Sequence, residues 1–145
     1  MMPDKAILCV DDEQIVLDCL REQILSNFRD DYLCETANSA EEAWEVIDEL
    51  VAEEVVVLVI VSDWLMPGIR GDEFLIAVHQ KFPNIVKVIL TGQADRSAIQ
   101  RAEEHANLFR CLHKPWDTQE LLTTIRLGIE RALISYEADG NFVRG

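Results

Sequence analysis

Residues 55–61 (VVVLVIV) form an unbroken apolar run in which every residue but Leu58 is β-branched. Such side chains fit the pleated surface of a sheet, and a strand that is apolar on both faces has to be covered on both. A sheet with one wet face would show alternation instead. The run therefore marks the central strand of a parallel sheet lying between two layers of helices. A chain of 145 residues is long enough to build that arrangement as one domain around one core, without disulfides or a structural metal.

The rest of the chain repeats a strand-then-helix rhythm. Residues 6–10 read as a buried strand, after which Val16, Leu17, Leu20, Ile24 and Phe28 recur at helical spacing. Residues 32–37 read as a weaker strand, and Ser39-Ala40-Glu41-Glu42 has the spacing of a capping box opening a helix through Ala43, Val46, Ile47 and Leu50. Met66, Pro67, Gly68 and Gly71 predict a tight loop, then a helix carrying Phe74, Leu75 and Val78 that stops by Phe82-Pro83. Residues 86–90 form the fourth strand, and Asp95 caps a helix with Ile99 and Ala102 inward. Residues 109–113 form a short fifth strand, and residues 117–120 open a last helix that runs to about Tyr136. Right-handed crossovers between five successive βα units give an α/β fold, a flavodoxin-like (βα)5 three-layer sandwich with parallel strand order 2-1-3-4-5. Ligands in such sheets sit beyond the carboxyl ends of the strands.

Four of the strands end on groups suited to phosphate chemistry: Asp11 and Asp12 after the first, Asp63 after the third, Thr91 after the fourth and Lys114 after the fifth. Parallel packing gathers these carboxylates, a hydroxyl and an ammonium at one edge. Clustered carboxylates repel one another, whereas a magnesium ion, which prefers oxygen ligands, keeps them ionised and leaves one free to act as a nucleophile. Each residue also has a plainer reading. Asp11-Asp12 could cap the first helix, threonine often ends strands, and a single lysine is usually a solvated charge. Asp63 resists this, because an ionisable group so close behind a buried apolar run is poorly solvated unless something pairs with it.

A formal charge of −14 excludes a grip on a nucleic-acid backbone by this domain itself. Cys9, Cys19, Cys34 and Cys111 lack C-x-x-C spacing and lie in apolar runs or on helix-like patterns, so buried, reduced thiols in the cytoplasm are expected and a zinc site is not. The apolar stretch near the N-terminus is too short for a signal peptide or a membrane span. Trp44, at helical spacing with Ile47, is expected to pack and Trp116 to anchor the last helix, while His79, His105 and His113 are expected to be packed or solvated.

In order and spacing, Asp11-Asp12, Asp63 with Met66-Pro67-Gly68 and Gly71, Thr91-Gly92, and Lys114-Pro115 resemble the receiver domain of bacterial two-component response regulators, over residues 4–134. The resemblance implies that Asp63 accepts a phosphoryl group from a phosphohistidine. Asp12, Asp63 and the backbone carbonyl of Leu65 would hold Mg²⁺, with Asp11 acting through water. Backbone amides of Trp64 and Gly92 would cradle the phosphoryl oxygens, Thr91 would turn inward on phosphorylation, Lys114 would pair with the phosphate, and Lys114-Pro115 would be a cis peptide. Such a domain is no enzyme beyond catalysing its own phosphoryl transfer and autodephosphorylation. Its implied partners are a sensor histidine kinase or phosphotransfer protein and whatever reads the face formed by the fourth helix, fifth strand and fifth helix, a second copy included. Neither nucleic acid nor membrane is among them. Residues 135–145 would be the end of the last helix and a linker or tail, and the length of that helix mildly favours an N-terminal segment of a longer protein over the alternative, a stand-alone relay protein.

One position departs from the family pattern. Where the family usually has an aromatic residue three positions before the lysine, this chain has Cys111. By strand alternation Phe109 and His113 are expected to share its face, and coupling to the output face is expected to run through Thr91 and residues 92–96. Trp64 is expected at the rim of the site, where its bulk slows hydrolysis, with Leu65 and Gln93 tuning the rate. Two rival functions remain. A magnesium-dependent aspartyl-phosphate phosphohydrolase of the haloacid dehalogenase type would want a second acid two residues after the nucleophile, where this chain has Leu65. A receiver-like interaction module that is never phosphorylated would keep the fold but normally lose part of the acidic set.

Overall fold

The computed structural model describes residues 4–28, 31–92 and 95–139. Strands and helices alternate as β1 (Lys5–Val10), α1 (Gln14–Phe28), β2 (Leu33–Ala37), α2 (Ala40–Ala52), β3 (Val56–Asp63), α3 (Gly71–Lys81), β4 (Val86–Thr91), α4 (Arg96–His105), β5 (Arg110–His113) and α5 (Thr118–Asp139). All pairings are parallel and the sheet order is β2-β1-β3-β4-β5, the flavodoxin-like (βα)5 sandwich that the rhythm predicts. One side chain layer packs β-strand residues against α2, α3 and α4, and the other packs them against α1 and α5. The apolar run of β3 lies between them: Val57 and Ile60 face the first layer, Leu58, Val59 and Val61 the second. Two consecutive residues, Leu58 and Val59, share a side because the register slips there, with Ala6 opposite Val57 and Ile7 opposite Val59. A bulge of this kind reverses the faces of every residue that follows, so it sets the phase in which the strand reaches Asp63.

Local signals fix the helix ends. Ser39 accepts from the Glu42 amide at 3.0 Å, as in a capping box, but Glu42 Oε1 reaches back to the amide of Asn38 at 2.7 Å, one residue beyond the expected Ser39. Asp95 caps α4 by accepting from the Ser97 and Ala98 amides at 3.0 and 3.2 Å. The buried face of α4 is Ala98 and Ala102, with Ile99 only half-buried. Helix α5 continues three residues past Tyr136, whose hydroxyl donates to the Val57 carbonyl at 3.2 Å and holds the helix against β3. The helix includes Ala138 and Asp139, and residues 140–145 lie outside the described residues. Trp116 anchors the start of α5 against α1, its Nε1 donating to Gln23 Oε1 at 2.9 Å. Trp44 packs edge-on against Phe74 with ring centroids 5.7 Å apart. Among the described residues no helix is long and apolar enough to cross a membrane.

Two expectations need correction. Cys9 and Cys34 are buried and Cys111 is half-buried, but Cys19 is exposed, since it sits off the Leu17–Leu20–Ile24 stripe of α1. Phe109 does not share the face of Cys111: β5 begins only at Arg110, and Phe109 packs with the α1 and α5 layer while Cys111 packs with α2, α3 and α4. Strand alternation does not extend to a residue that precedes the strand. Strand β4 forms where the sequence places it, and it carries Lys87, which is fully buried.

The Lys87 ammonium lies 2.7 Å from His79 Nδ1 on α3 and donates to the Pro83 carbonyl at 3.3 Å. Burial lowers its pKa from 10.5 to about 8. Between those values the unfolded chain holds a proton that the folded protein has released, so this lysine makes stability rise with pH across that window. We expect the wild-type protein to gain about 2 kcal/mol relative to Lys87→Met between about pH 8 and pH 10, read from urea unfolding of both proteins. A pH-independent difference would mean that Lys87 titrates normally.

Candidate functional site

Sheet order places the site. The chain leaves β1 for β2 on one side and returns to β3 on the other, so a crevice opens between β1 and β3 at their carboxyl ends. Asp11 follows β1, Asp63 ends β3, Thr91 ends β4, and Lys114 follows β5. They line one cleft of about 370 Å³ together with Asp12, Glu13, Leu65 and Gly92, except for Asp11, which lies beneath it.

Asp11 is wholly buried, and its Oδ1 accepts from the Glu13 amide at 2.9 Å just ahead of α1. That bond goes to the residue ahead of α1 and not to an amide of the helix, so Asp11 makes a turn leading into α1 and does not cap it. Its other oxygen lies 2.7 Å from Lys114 Nζ, which is also 3.4 Å from Asp63 Oδ2 and 3.5 Å from Glu13 Oε1. The Lys114 amide donates to the Thr91 carbonyl at 2.8 Å, tying the loop that carries the ammonium to the end of β4. The Lys114-Pro115 peptide is cis.

The carboxyl of Asp63 is raised above its usual range, first by burial and then by the charge of Asp11, against the lowering effect of Lys114 and a backbone hydrogen bond from Leu65. Burial alone would lower the Lys114 ammonium, but its hydrogen bond to Asp11 and the charges of Asp63, Asp11 and Glu13 outweigh that and hold it above the ordinary lysine value. Carboxylate oxygens of Asp11, Asp12 and Asp63 all lie within 4.8 Å of one another. Three carboxylates converging on one point, one of them unfavourably charged, form an oxygen donor set that fits a hard divalent cation such as Mg²⁺.

The loop from Asp63 to α3 is tightly closed. The Gly71 amide donates to the Trp64 carbonyl at 2.7 Å, and a Cβ on Gly71 would overlap the Asp63 carbonyl oxygen, so only glycine fits there. Gly68 turns the loop with φ of 85°. The Trp64 side chain packs into the layer beneath α2, α3 and α4, and it is Leu65, 54% exposed, that stands in the cleft wall. Thr91 is buried at the cleft, and Gln93 lies outside the described residues. Sequence reasoning missed Glu13, although it directly follows the acidic pair, and Asp72, a fully buried carboxylate in the first turn of α3.

Fold and cleft together define a class: a doubly wound α/β domain with an acidic, lysine-bridged cleft at the carboxyl edge of its sheet. The chain belongs to the response regulator receiver domain family, which matches residues 7–126. It is 34% identical over 131 residues to the hydrogenase transcriptional regulatory protein HoxA of Cupriavidus necator, covering 89% of this chain and 25% of that protein. It is 30% identical over 100 residues to the sensor kinase CckA of Brucella abortus, covering 69% of this chain and 10% of that one. The chain therefore spans about a quarter of the length of the HoxA proteins it matches. The signal receiver domain of an HD domain-containing protein from Pseudomonas fluorescens superimposes with a TM-score of 0.82 at 27% identity, over 94% of this chain and 95% of that chain. The beryllofluoride-activated NtrC4 receiver domain dimer gives 0.75 at 26% identity, over 88% of this chain and 98% of that chain. Receiver domains are regulatory domains that bind Mg²⁺ at an acidic pocket and interact with histidine kinases or phosphotransfer proteins.

Because the net shift at Asp63 is upward, its charge is a cost to the folded protein without metal. Asp63→Asn should therefore raise urea stability in chelator-treated buffer, within the range of about 0.5–2 kcal/mol usual for a stabilising substitution. A loss of stability instead would mean that Lys114 needs both carboxylates to hold its place.

Proposed function

We propose that this chain receives a phosphoryl group on Asp63 from the phosphohistidine of a sensor histidine kinase or phosphotransfer protein, and that residues 4–134 are the unit that does so. A carboxylate oxygen of Asp63 attacks phosphorus, the N–P bond to the donor imidazole breaks, and the imidazole nitrogen keeps the electron pair and takes up a proton. The observation that carries this reading is the placement of Lys114 between Asp11 and Asp63 at the mouth of the cleft. Lys114 is held ready to balance the charge on the new acyl phosphate, and the Thr91 hydroxyl and the backbone amides of Trp64 and Gly92 would donate to its oxygens. Asp12, Asp63 and the Leu65 carbonyl would hold Mg²⁺, with Asp11 acting through water, and the ion would supply charge neutralisation to the transferring group. The chain would catalyse only this transfer and its own dephosphorylation, in the cytoplasm.

The modification adds roughly two negative charges. Its readout is the face of α4, β5 and α5, where an open groove of about 430 Å³ is lined by Phe109, Arg110, Leu127, Glu130, Arg131 and Ile134. Arg110 and Arg131 stack on Phe109 at 5.2 and 5.4 Å from its ring centre, and among the described residues neither forms an ion pair. Leu127 and Ile134 lie one heptad apart on exposed α5, with Glu130 beside Arg131 between them. That pattern is self-complementary, so a second copy fits it, the Glu130 carboxylate of one meeting the unpaired arginines of the other.

Incubating the protein with Mg²⁺ and a small acyl phosphate should add one phosphoryl group by intact mass, and the adduct should be absent in Asp63→Asn and without divalent metal. Rapid turnover of the donor with no lasting adduct would favour a phosphohydrolase, and neither adduct nor turnover would favour an inert module. By sedimentation, the phosphorylated protein should become a dimer, and Ile134→Asp should hold it monomeric while leaving the adduct intact. Thr91→Ala should likewise form the adduct but fail to dimerise.

A further inference from the structure

Asp72 is fully buried and belongs to no strand end. Its Oδ2 lies 2.7 Å from Nη2 of Arg101 on α4, and its Oδ1 lies 3.2 Å from Nε of Arg70, the residue that precedes α3. Only the carboxylate is buried, the Arg101 and Arg70 side chains being 43% and 40% exposed, and a buried charge paired with a group on another element is suited to holding the two elements in register. Here the elements are α3 and α4.

What precedes Asp72 gives that register a meaning. The loop after Asp63 closes on itself at Gly71, whose amide bonds the Trp64 carbonyl at 2.7 Å and whose Cα sits too close to the Asp63 carbonyl oxygen for a Cβ. Asp72 is the next residue. The backbone of Asp63 therefore cannot shift without either opening that bond or moving Asp72, and Asp72 holds Arg101. Strand β5 itself presents the small Cys111 thiol, and not a bulky side chain, to the layer it shares with α4.

We propose that Asp72 and Arg101 are positioning residues that tie the phosphoacceptor loop to α4, so that the arrangement of the loop around Asp63 sets the position of α4. The inference rests on the phosphoryl-transfer reading of Asp63 and adds the residues through which that site reaches the output face. A contiguous chain of contacts is only a route, and a measured coupling has to establish it.

The test uses the whole chain with Mg²⁺ and beryllofluoride as a stand-in for the phosphoryl group, reading hydrogen exchange at the α4 amides. In the wild type, addition of beryllofluoride should change exchange in α4 by about tenfold, within the usual range of coupling between sites. Arg101→Met keeps the aliphatic stem and leaves Asp72 paired with Arg70, and it should cut that change to less than about twofold while beryllofluoride still binds. Arg101→Lys, which keeps the charge without the fork, should recover part of the response. Asp72→Asn should match Arg101→Met, and the double variant should be no worse than either. The proposal is overturned if Arg101→Met responds like the wild type, or if beryllofluoride binds the wild type and leaves α4 unchanged. A wild type that binds no beryllofluoride and forms no phosphoryl adduct would instead sink the reading of Asp63, and this inference with it.

Discussion

The ammonium of Lys114, 2.7 Å from Asp11 and 3.4 Å from Asp63, is the interaction on which the cleft depends. Asp11 has no contact with solvent, and a buried carboxylate is tolerable only where hydrogen bonds and an opposite charge replace its water. The Glu13 amide supplies the first and Lys114 the second. Yet Lys114 is brought there by the shortest strand of the sheet, at its edge, with Leu112 as that strand's one buried apolar residue. The bond from its own amide to the Thr91 carbonyl adds to the pairing of β5 with β4 and fixes the residue beyond the strand. The ends of β1, β3, β4 and β5 thus hold one another through charge and backbone hydrogen bonds, above a sheet held by apolar contact.

That division explains what was legible in the sequence. The strands end where apolar runs end, and in a parallel sheet every such end points the same way, so Asp11, Asp12, Asp63, Thr91 and Lys114 could be placed together from pattern alone. Pattern fails where a contact joins segments that no periodicity relates. Nothing in the local sequence marks Lys87 as buried, because its partner His79 lies on a different element. Asp72 looks like one more acid in a helix's first turn until Arg101, on the next helix, is seen to reach it. Trp64 follows the key aspartate in sequence, but its side chain turns into the helix layer and leaves the cleft wall to Leu65. The β3 bulge, which decides such orientations downstream, has no signature in a run of alternately equivalent valines.

The polar burials are unevenly shared between the two faces of the sheet, and the unevenness bears on which helices can move. Helix α5 anchors with Leu121, Leu122, Ile125, Ile129 and Ala132, against a layer formed almost wholly of apolar side chains. Helix α4 buries Ala98 and Ala102, which at about 0.8 kcal/mol per buried carbon contribute about 2 kcal/mol together. The rest of its attachment to α3 includes the Arg101–Asp72 ion pair. An element held by so little apolar burial lies at the low-stability end of the fold, where local opening and functional movement are drawn from. An electrostatic change of a few kcal/mol at the strand ends would leave α5 where it is. The same change is comparable to the burial of Ala98 and Ala102 that helps to fix α4, so a charge placed in the cleft has one helix within its reach and a more firmly packed neighbour against which that helix can be read.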